Sequence, residues 1–217
     1  MEGNFVMNKL IKAFLVLTLS LTSIGVTALP LAYVEGEHYK LTTQRLAVSG
    51  EGTTDVVELF MYTCPHCYHL EPEVEDWQKS IEGEGKVNFV QVPAVFGPNQ
   101  IPLATAFYAA EALGLSEKLH PLLFDAIHED GMNLSSQKAI LDYVAQQDVD
   151  RASFEKMMGS FGVKAKVKKA AALTNMSGIS GVPSFVVNGR YHTSGPMAGS
   201  IEAMFEIVDF LVDHSQP

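Results

Sequence analysis

The sequence predicts an α/β fold in which a small layer of strands and helices is split by an inserted group of helices. Three observations lead to this fold class. A strand, a helix and a second strand follow one another between residues 55 and 92, and the long middle of the chain has helical spacing with almost no strand signal. A hairpin signal then follows the helical middle. The strands on either side of the middle are therefore expected to form one small layer.

The first unit begins with a short apolar segment. Residues Asp55 to Tyr62 have the sequence DVVELFMY, which is rich in β-branched and aromatic residues and too short for a typical helix, so it predicts a buried strand. Helical spacing follows from Cys64 to about Ile81, and Lys86 to Val92 gives a second strand. A strand, helix and strand of about 40 residues is the size of a βαβ unit, so the two strands are expected to be parallel neighbours.

Breakers end this unit, namely Pro93, Gly97, Pro98 and Pro102. The residues that follow show helical periodicity as far as about residue 175. The predicted helices of the insertion are Leu103–Leu113, Glu117–Ile127, Gln137–Gln147, Arg151–Phe161 and Val163–Asn175. The predicted helix caps are Ser116, Ser135 or Ser136, and Asp150.

The end of the chain returns to the strand pattern. The segment PSFVVNGRYH predicts a β-hairpin with a strand at Ser184–Val187, a turn at Asn188–Gly189 and a short return through Tyr191. A final amphipathic helix is expected from about Ser200 to His214.

The N-terminal residues predict a cleavable signal peptide over residues 1–32. Lys9 and Lys12 precede an apolar run from Ala13 to Leu29, and small residues follow, so cleavage is expected near residues 28–32, with Ala32 preferred. Met7 is an alternative start. The alternative to cleavage is a membrane anchor, because the apolar run is near the lower limit for spanning a bilayer.

Composition and charge exclude several classes of partner. The 217 residues are 47% hydrophobic and 18% charged, which is enough for a packed core. With 15 basic and 25 acidic side chains the formal charge is −10, which argues against nucleic acid and anionic lipid as partners. The chain has only two cysteines, so it is not a disulfide-stapled scaffold.

The two cysteines form the motif Cys64-Pro65-His66-Cys67, at the point where a strand gives way to a helix. Positions i and i+3 of a first helical turn lie close enough for a reversible disulfide. Cys64 at the N-cap would have a depressed pKa beside free backbone N–H groups, which makes it the candidate nucleophile. Pro65 suits the first helical position, His66 can add a donor or a positive charge, and Cys67 would be the more buried resolving partner.

Two other interpretations of the motif stay open at this point. A structural disulfide would close a very small loop and stabilise little. Metal binding would use Cys64, Cys67, His66 and His69, but a structural zinc site usually needs a second ligand pair. The remaining histidines show no such pairing; they are His38, His120, His128, His192 and His214.

On this motif the sequence resembles the thioredoxin superfamily, and most closely the family of periplasmic thiol:disulfide interchange proteins DsbA. The resemblance runs from about Tyr33 to the C-terminal helix and implies a thioredoxin-like fold with an inserted helical domain. It implies thioredoxin-like parts at residues 33–97 and 178–217, and the insertion at residues 98–177. It also assigns Pro72 to the helix-kinking proline and Val182-Pro183 to the cis-proline that faces the disulfide.

The resemblance also places Glu58 at the family's buried acidic residue, where it could accept protons near Cys67. Family members often carry a lysine on the next strand, and this chain has Gln91 at that position. Met197 is a possible wall of a substrate groove near Pro183. Two charged sets are expected to be solvated helix faces: Glu71, Glu73, Glu75 and Asp76, and Lys164, Lys166, Lys168 and Lys169.

The function that the resemblance implies is a periplasmic disulfide oxidase that donates its Cys64/Cys67 disulfide to reduced, unfolded exported proteins. It implies reoxidation by a quinone-linked inner-membrane protein resembling DsbB. We expect no cofactor and no metal, and we expect a monomer. A disulfide isomerase or reductase of the same superfamily is one alternative. A chaperone-like peptide-binding protein with a regulatory or metal-binding CxxC is the other.

Overall fold

A computed structural model describes residues 33–47, 52–83 and 85–214 of the chain. The predicted signal peptide at residues 1–32 lies outside the described residues. No helix in these three ranges is long and apolar enough to cross a membrane.

A mixed five-stranded sheet forms the centre of the protein. Its strands are β1 Lys40–Leu41, β2 Thr54–Phe60, β3 Val87–Pro93, β4 Ser184–Val187 and β5 Tyr191–Ser194, in the spatial order β1-β5-β4-β2-β3. Strands β2 and β3 are parallel, as predicted for a βαβ unit, and the other neighbouring pairs are antiparallel. Asn188 and Gly189 both have positive φ, which fits the tight turn between β4 and β5.

Eight α-helices surround the sheet in the described residues. They are α1 Pro65–Ile81, α2 Ile101–Ala112, α3 Ser116–His128, α4 Gln137–Gln146, α5 Arg151–Met158, α6 Phe161–Ser177, α7 Gly195–Ala198 and α8 Ile201–His214. Helices α2 to α6 all lie between β3 and β4 in the chain, so the helical insertion is confirmed. The domain boundaries proposed for it, residues 98 and 177, stay a prediction.

Several local predictions differ from the structure. Ser116 does not cap α3: Leu115 holds the cap position and Ser116 is the first helical residue. Helix α5 ends at Met158 rather than at residue 161, because Ser160 already caps α6 through a bond from the Val163 N–H. The caps at Ser136 and Asp150 are confirmed, whereas the short elements β1 and α7 were not predicted.

Two apolar clusters hold the layers together. One cluster joins the end of β2 to the inserted helices through residues such as Phe60, Phe124 and Phe154. The other lies between the sheet, α1 and α8, and includes Trp77 and Phe185. The N-terminal turn of α1 lies at the junction of these clusters, since Cys67 belongs to the first and Leu70 to the second.

Candidate active site

The Cys-Pro-His-Cys motif forms the beginning of helix α1. Cys64 is the N-cap residue, with extended backbone angles of φ −93° and ψ 116°, and Pro65 is the first helical residue, where its missing N–H costs no helical hydrogen bond. Cys64 is 9% exposed and Cys67 is 0% exposed, and both are free thiols. His66 and Pro65 are exposed. An incoming thiol therefore reaches Cys64 more easily than Cys67.

The peptide bond between Val182 and Pro183 is cis, as predicted. The Cys64 thiol donates a hydrogen bond to the Val182 carbonyl oxygen at 3.4 Å, so the cis-proline loop lies directly against the candidate nucleophile. Beside this loop is a cleft of about 360 Å³. Val182, Pro183 and Met197 all line the cleft, which is where Met197 was expected.

The two thiols of the motif differ strongly in proton affinity. The pKa of Cys64 is lowered to about 6, first because the Cys67 thiol donates a hydrogen bond to its sulfur, and then because the backbone N–H groups of Cys67 and His66 do so. The pKa of Cys67 is raised well above its usual range by the same hydrogen bond and by burial. Near neutral pH the site therefore holds a thiolate on Cys64 and a proton on Cys67.

Glu58 lies on β2, on the sheet face that also carries Val56. Its side chain is 0% exposed, and its Oε2 accepts a hydrogen bond from Gln91 Nε2 at 2.9 Å, while its Oε1 has no partner among the described residues. Burial and the negative charge of Glu71 raise the pKa of Glu58 to about 8, although the bond from Gln91 opposes the shift. Glu58 in turn raises the pKa of Cys67, so the two groups interact.

The prediction of a solvated face is wrong for Glu71. Its side chain is 15% exposed, and it contacts Gln91 Nε2 at 3.3 and 3.4 Å and His120 Nε2 at 3.1 Å. The reason is helical spacing: Glu71 follows Cys67 by four residues and shares its inward face. The other acidic members of that set, Glu73, Glu75 and Asp76, are exposed as predicted, and so are the four lysines of α6.

His120 and Tyr62 complete the polar cluster, and neither was predicted to belong to the site. The Tyr62 hydroxyl lies 2.8 Å from His120 Nδ1, and burial raises the pKa of Tyr62 well above its usual range. His120 is 49 residues from Glu71 in the chain, so no local spacing could indicate their contact. We name the connected side chains Glu58, Gln91, Glu71, His120 and Tyr62 the acid cluster.

Within the described ranges no group of three or more His, Cys, Asp or Glu side chains is arranged to hold a metal ion. His69 is exposed next to Tyr68, on the outer side of α1.

Comparison with known proteins agrees with this geometry. The model of the DsbA-like thioredoxin domain matches residues 55–204, which is more than half of the chain. Two curated relatives are thiol:disulfide interchange proteins DsbA: that of Azotobacter vinelandii is 35% identical over 97% of this chain and 99% of its own length. That of Burkholderia cepacia is 37% identical over 97% of this chain and 98% of its own length.

A solved structure leads to the same family. The crystal structure of Pseudomonas aeruginosa DsbA superimposes with a TM-score of 0.78 at 33% identity, covering 84% of this chain and 94% of that one. With a redox-suited cysteine pair beside a cis-proline, the chain belongs to the DsbA-like thioredoxin family and is a thiol:disulfide oxidoreductase.

Proposed function

We propose that this oxidoreductase works as a disulfide donor, which passes its Cys64/Cys67 disulfide to reduced, incompletely folded exported proteins. The observation that supports this direction is the stabilised Cys64 thiolate, whose pKa is lowered to about 6. Stabilising the thiolate favours the reduced form of the pair, and a pair that favours its reduced form is a strong oxidant when it carries a disulfide.

The proposed reaction begins when a substrate thiolate attacks the sulfur of Cys64. The Cys64–Cys67 bond breaks, a mixed disulfide forms between Cys64 and the substrate, and Cys67 leaves as a thiolate that takes up a proton. A second substrate thiolate then attacks the substrate sulfur of the mixed disulfide, and Cys64 leaves as its stabilised thiolate. The substrate has lost two electrons and gained a disulfide, and both enzyme cysteines are reduced.

In this scheme Glu58 supplies the proton that Cys67 needs. Its pKa of about 8 means that the carboxyl is mostly protonated at neutral pH, and its charge interacts with Cys67. In the reverse direction, when Cys67 must lose its proton, the Glu58 carboxylate is the base proposed to take it, because its charge interacts with Cys67.

The substrate is proposed to lie as an extended chain along the cis-proline loop. The Val182 carbonyl oxygen lies 3.4 Å from the sulfur of Cys64, so a substrate bound there would hold its own sulfur close to the nucleophile. Met197 would contact substrate side chains from the wall of the cleft, since methionine adapts its shape to irregular apolar surfaces.

The proposed place of action is the bacterial periplasm, reached by way of the signal peptide predicted at residues 1–32. An oxidising compartment is where a disulfide donor has substrates. A quinone-linked inner-membrane protein resembling DsbB is the proposed reoxidant, which accepts the two electrons from the cysteine pair. The enzyme is proposed to act as a monomer without cofactor or metal.

A redox titration tests the direction of transfer. The purified protein is equilibrated in glutathione buffers of graded potential, and the free thiols of Cys64 and Cys67 are counted by alkylation with a mass tag. We expect the pair to stay reduced until the buffer is strongly oxidising. A pair that stays oxidised in reducing buffer would contradict the proposal and indicate a reductant or a structural bridge.

The rate of alkylation tests whether Cys67 is what lowers the pKa of Cys64. Cys67→Ala removes the first contributor to the low pKa of Cys64, so alkylation of Cys64 at pH 6 is expected to slow by about tenfold. Cys67→Ser keeps a hydroxyl donor at the same place and is expected to slow it less. Equal rates for all three proteins would show that Cys67 does not stabilise the Cys64 thiolate.

A further inference from the structure

The acid cluster holds two carboxyl groups, Glu58 on β2 and Glu71 on α1, and no described hydrogen bond or ion pair joins either of them to a lysine or arginine. In the described part of the chain Glu58 is bonded to Gln91, and Glu71 to Gln91 and His120. Gln91 Nε2 donates to both carboxylates and brings no charge. Two neighbouring carboxylates with no cation resist being ionised together. His120 is the one group in the cluster that can carry a positive charge.

The position of His120 is fixed on all sides. Its Nε2 lies 3.1 Å from Glu71 Oε2 and its Nδ1 lies 2.8 Å from the Tyr62 hydroxyl. Edge contacts with the rings of Phe60, Phe107 and Phe124 surround the imidazole at 5.2 to 5.8 Å, and its side chain is 14% exposed. The Tyr62 hydroxyl can donate or accept, so it fits the neutral imidazole as well as the cation.

Few other charged groups face this imidazole. Glu71 comes from α1, and Tyr62 from the segment after β2. Further along α3, Asp125 and Glu129 accept hydrogen bonds from the Tyr68 hydroxyl. On α2 the acidic Glu111 is paired with Lys166. Glu71 is therefore the described charge that His120 contacts.

We propose that His120 is a positioning residue of the dithiol site: it is the cationic partner of the two buried carboxyls, and through Glu71 it sets the pH range in which Glu58 keeps its proton beside Cys67. The charge coupling stands on the contacts of the acid cluster alone. Its consequence for thiol exchange rests on the proposed function, in which Glu58 exchanges a proton with Cys67.

The physical reason is coupled titration. Two interacting carboxyls bind protons as a pair, and a nearby cation lowers the proton affinity of the pair as a whole. Gln91 offers both carboxylates a donor, and in the proposal the positive charge is that of a protonated His120, which lies on α3 in the helical insertion. The insertion thereby contributes a group that acts on the cysteine pair of the thioredoxin-like part.

A carboxyl titration tests the coupling directly. In the reduced protein labelled with ¹³C at the glutamate side chains, the carboxyl resonances are followed against pH, and Glu58→Gln identifies the resonance of Glu58. His120→Gln is expected to shift the titration of Glu58 upward by about half a pH unit or more. A titration that overlaps the parent curve would overturn the proposal.

Glu71→Gln tests whether His120 acts on Glu58 through Glu71. Without the negative charge of Glu71, Glu58 is expected to titrate at lower pH than in the parent protein. In the double variant His120→Gln/Glu71→Gln the curve of Glu58 is expected to match that of Glu71→Gln. If His120→Gln shifts Glu58 equally with and without Glu71, His120 does not act through Glu71 and the proposal falls.

His128→Gln is the matched control. His128 lies two turns further along α3, bonds to the Tyr62 carbonyl oxygen at 2.8 Å and stacks on Tyr68, but contacts neither carboxyl. Its loss is expected to leave the carboxyl titration unchanged. If both histidine variants shift the curve alike, the effect comes from disturbed packing around Tyr62 and the charge coupling is refuted.

The result separates this inference from the proposed function. The carboxyl titration does not depend on whether the enzyme donates or accepts disulfides. If the redox titration contradicts a disulfide donor while His120→Gln still shifts the carboxyls, the function falls and the coupling stands. If the carboxyl curves do not move while the pair behaves as a strong oxidant, the coupling falls and the function stands.

Discussion

The two halves of helix α1 cover the same sheet, yet their inward side chains have opposite chemistry. The first half presents Cys67 and Glu71 near Glu58, three groups that can each gain or lose a proton. The second half presents Val74 and Trp77, both buried in an apolar cluster with α8. The same helical spacing therefore places reactive groups at one end of the helix and core residues at the other.

Burying an ionisable group costs free energy, and in α1 this cost falls on the half of the helix that carries the reactive groups. A buried carboxyl whose Oε1 has no described partner is expensive to ionise, and this raises its pKa into the range useful for proton exchange. The apolar half carries no such cost, because burial of aromatic and aliphatic surface is favourable at any pH. We expect substitutions in the second half to change stability, and those in the first half to change pH and redox behaviour.

The largest expected effect is on stability, from Trp77→Ala. Trp77 stacks on Phe205 at 5.7 Å, makes an edge contact with Phe89 at 5.4 Å, and donates its N–H to Asp209 Oδ1 at 2.9 Å. Losing this side chain is expected to lower the free energy of unfolding by about 3–5 kcal/mol. Urea denaturation of the reduced protein measures the loss.

If the two halves of α1 have separate roles, Trp77→Ala should leave the reactivity and the redox equilibrium of the cysteine pair unchanged. The alkylation rate of Cys64 against pH and the glutathione titration are expected to match those of the parent. Trp77→Phe, which keeps a ring but loses the N–H donor, is the milder control and is expected to cost less. A shift of the redox equilibrium by Trp77→Ala would show that the two halves of α1 are not separable.

The next largest effect is expected from Glu58→Gln, and it depends on pH. The pKa of Glu58 is raised from 4.5 to about 8 in the folded protein, so between these values the folded state holds a proton that the unfolded state has released. Stability must then fall as pH rises through this window. A neutral amide removes the loss, so Glu58→Gln is expected to gain about 2 kcal/mol or more on the parent between pH 4 and pH 8.

Denaturation at a series of pH values checks this prediction. The difference between variant and parent in the free energy of unfolding at pH 4 serves as the reference. Glu73→Gln is the control, since Glu73 is an exposed acid on the same helix. Because Glu73 is exposed, its replacement is expected to change the free energy of unfolding by less than about 0.5 kcal/mol. A difference for Glu58→Gln that is independent of pH would mean that Glu58 is already ionised in the folded protein.

The sequence predicts the fold because the fold rests on local signals. Three short segments carry these signals: the β-branched and aromatic residues of β2, the helical spacing of α1 and the turn at Asn188–Gly189. The structure confirms all three. Strand β1 was not predicted. It has only two residues, Lys40 and Leu41, and their strand conformation comes from pairing with β5. A strand of that length has no period to detect.

The site divides in the same way between local and distant information. The cysteine motif and Pro183 can be recognised along the chain, and the inward position of Glu71 could have been found from its spacing to Cys67. The contact between Glu71 and His120 depends on how α3 packs against α1, which one sequence does not encode in any short pattern. Residues supplied by the insertion are therefore the part of the site that required the structure.

The smallest expected effect comes from Asp209→Asn. Asp209 lies beside the second half of α1, so its carboxyl can be compared with that of Glu58, which lies beside the first half. Asp209 on α8 accepts the hydrogen bond from Trp77, and partial desolvation raises its pKa from 3.8 even though that bond opposes the shift. A raised carboxyl pKa again means that stability falls as pH rises through the folded-state value, here in acidic solution. Because the Asp209 side chain is only partly desolvated and still reaches solvent, water screens the effect, and Asp209→Asn is expected to gain less than about 1 kcal/mol on the parent between pH 3 and pH 6. The same series of denaturation experiments measures this gain, and the alkylation rate of Cys64 is expected to depend on pH as it does in the parent.

If Asp209→Asn changed the pH dependence of stability as much as Glu58→Gln does, burial of Glu58 would not be what distinguishes the reactive half of α1 from the structural one.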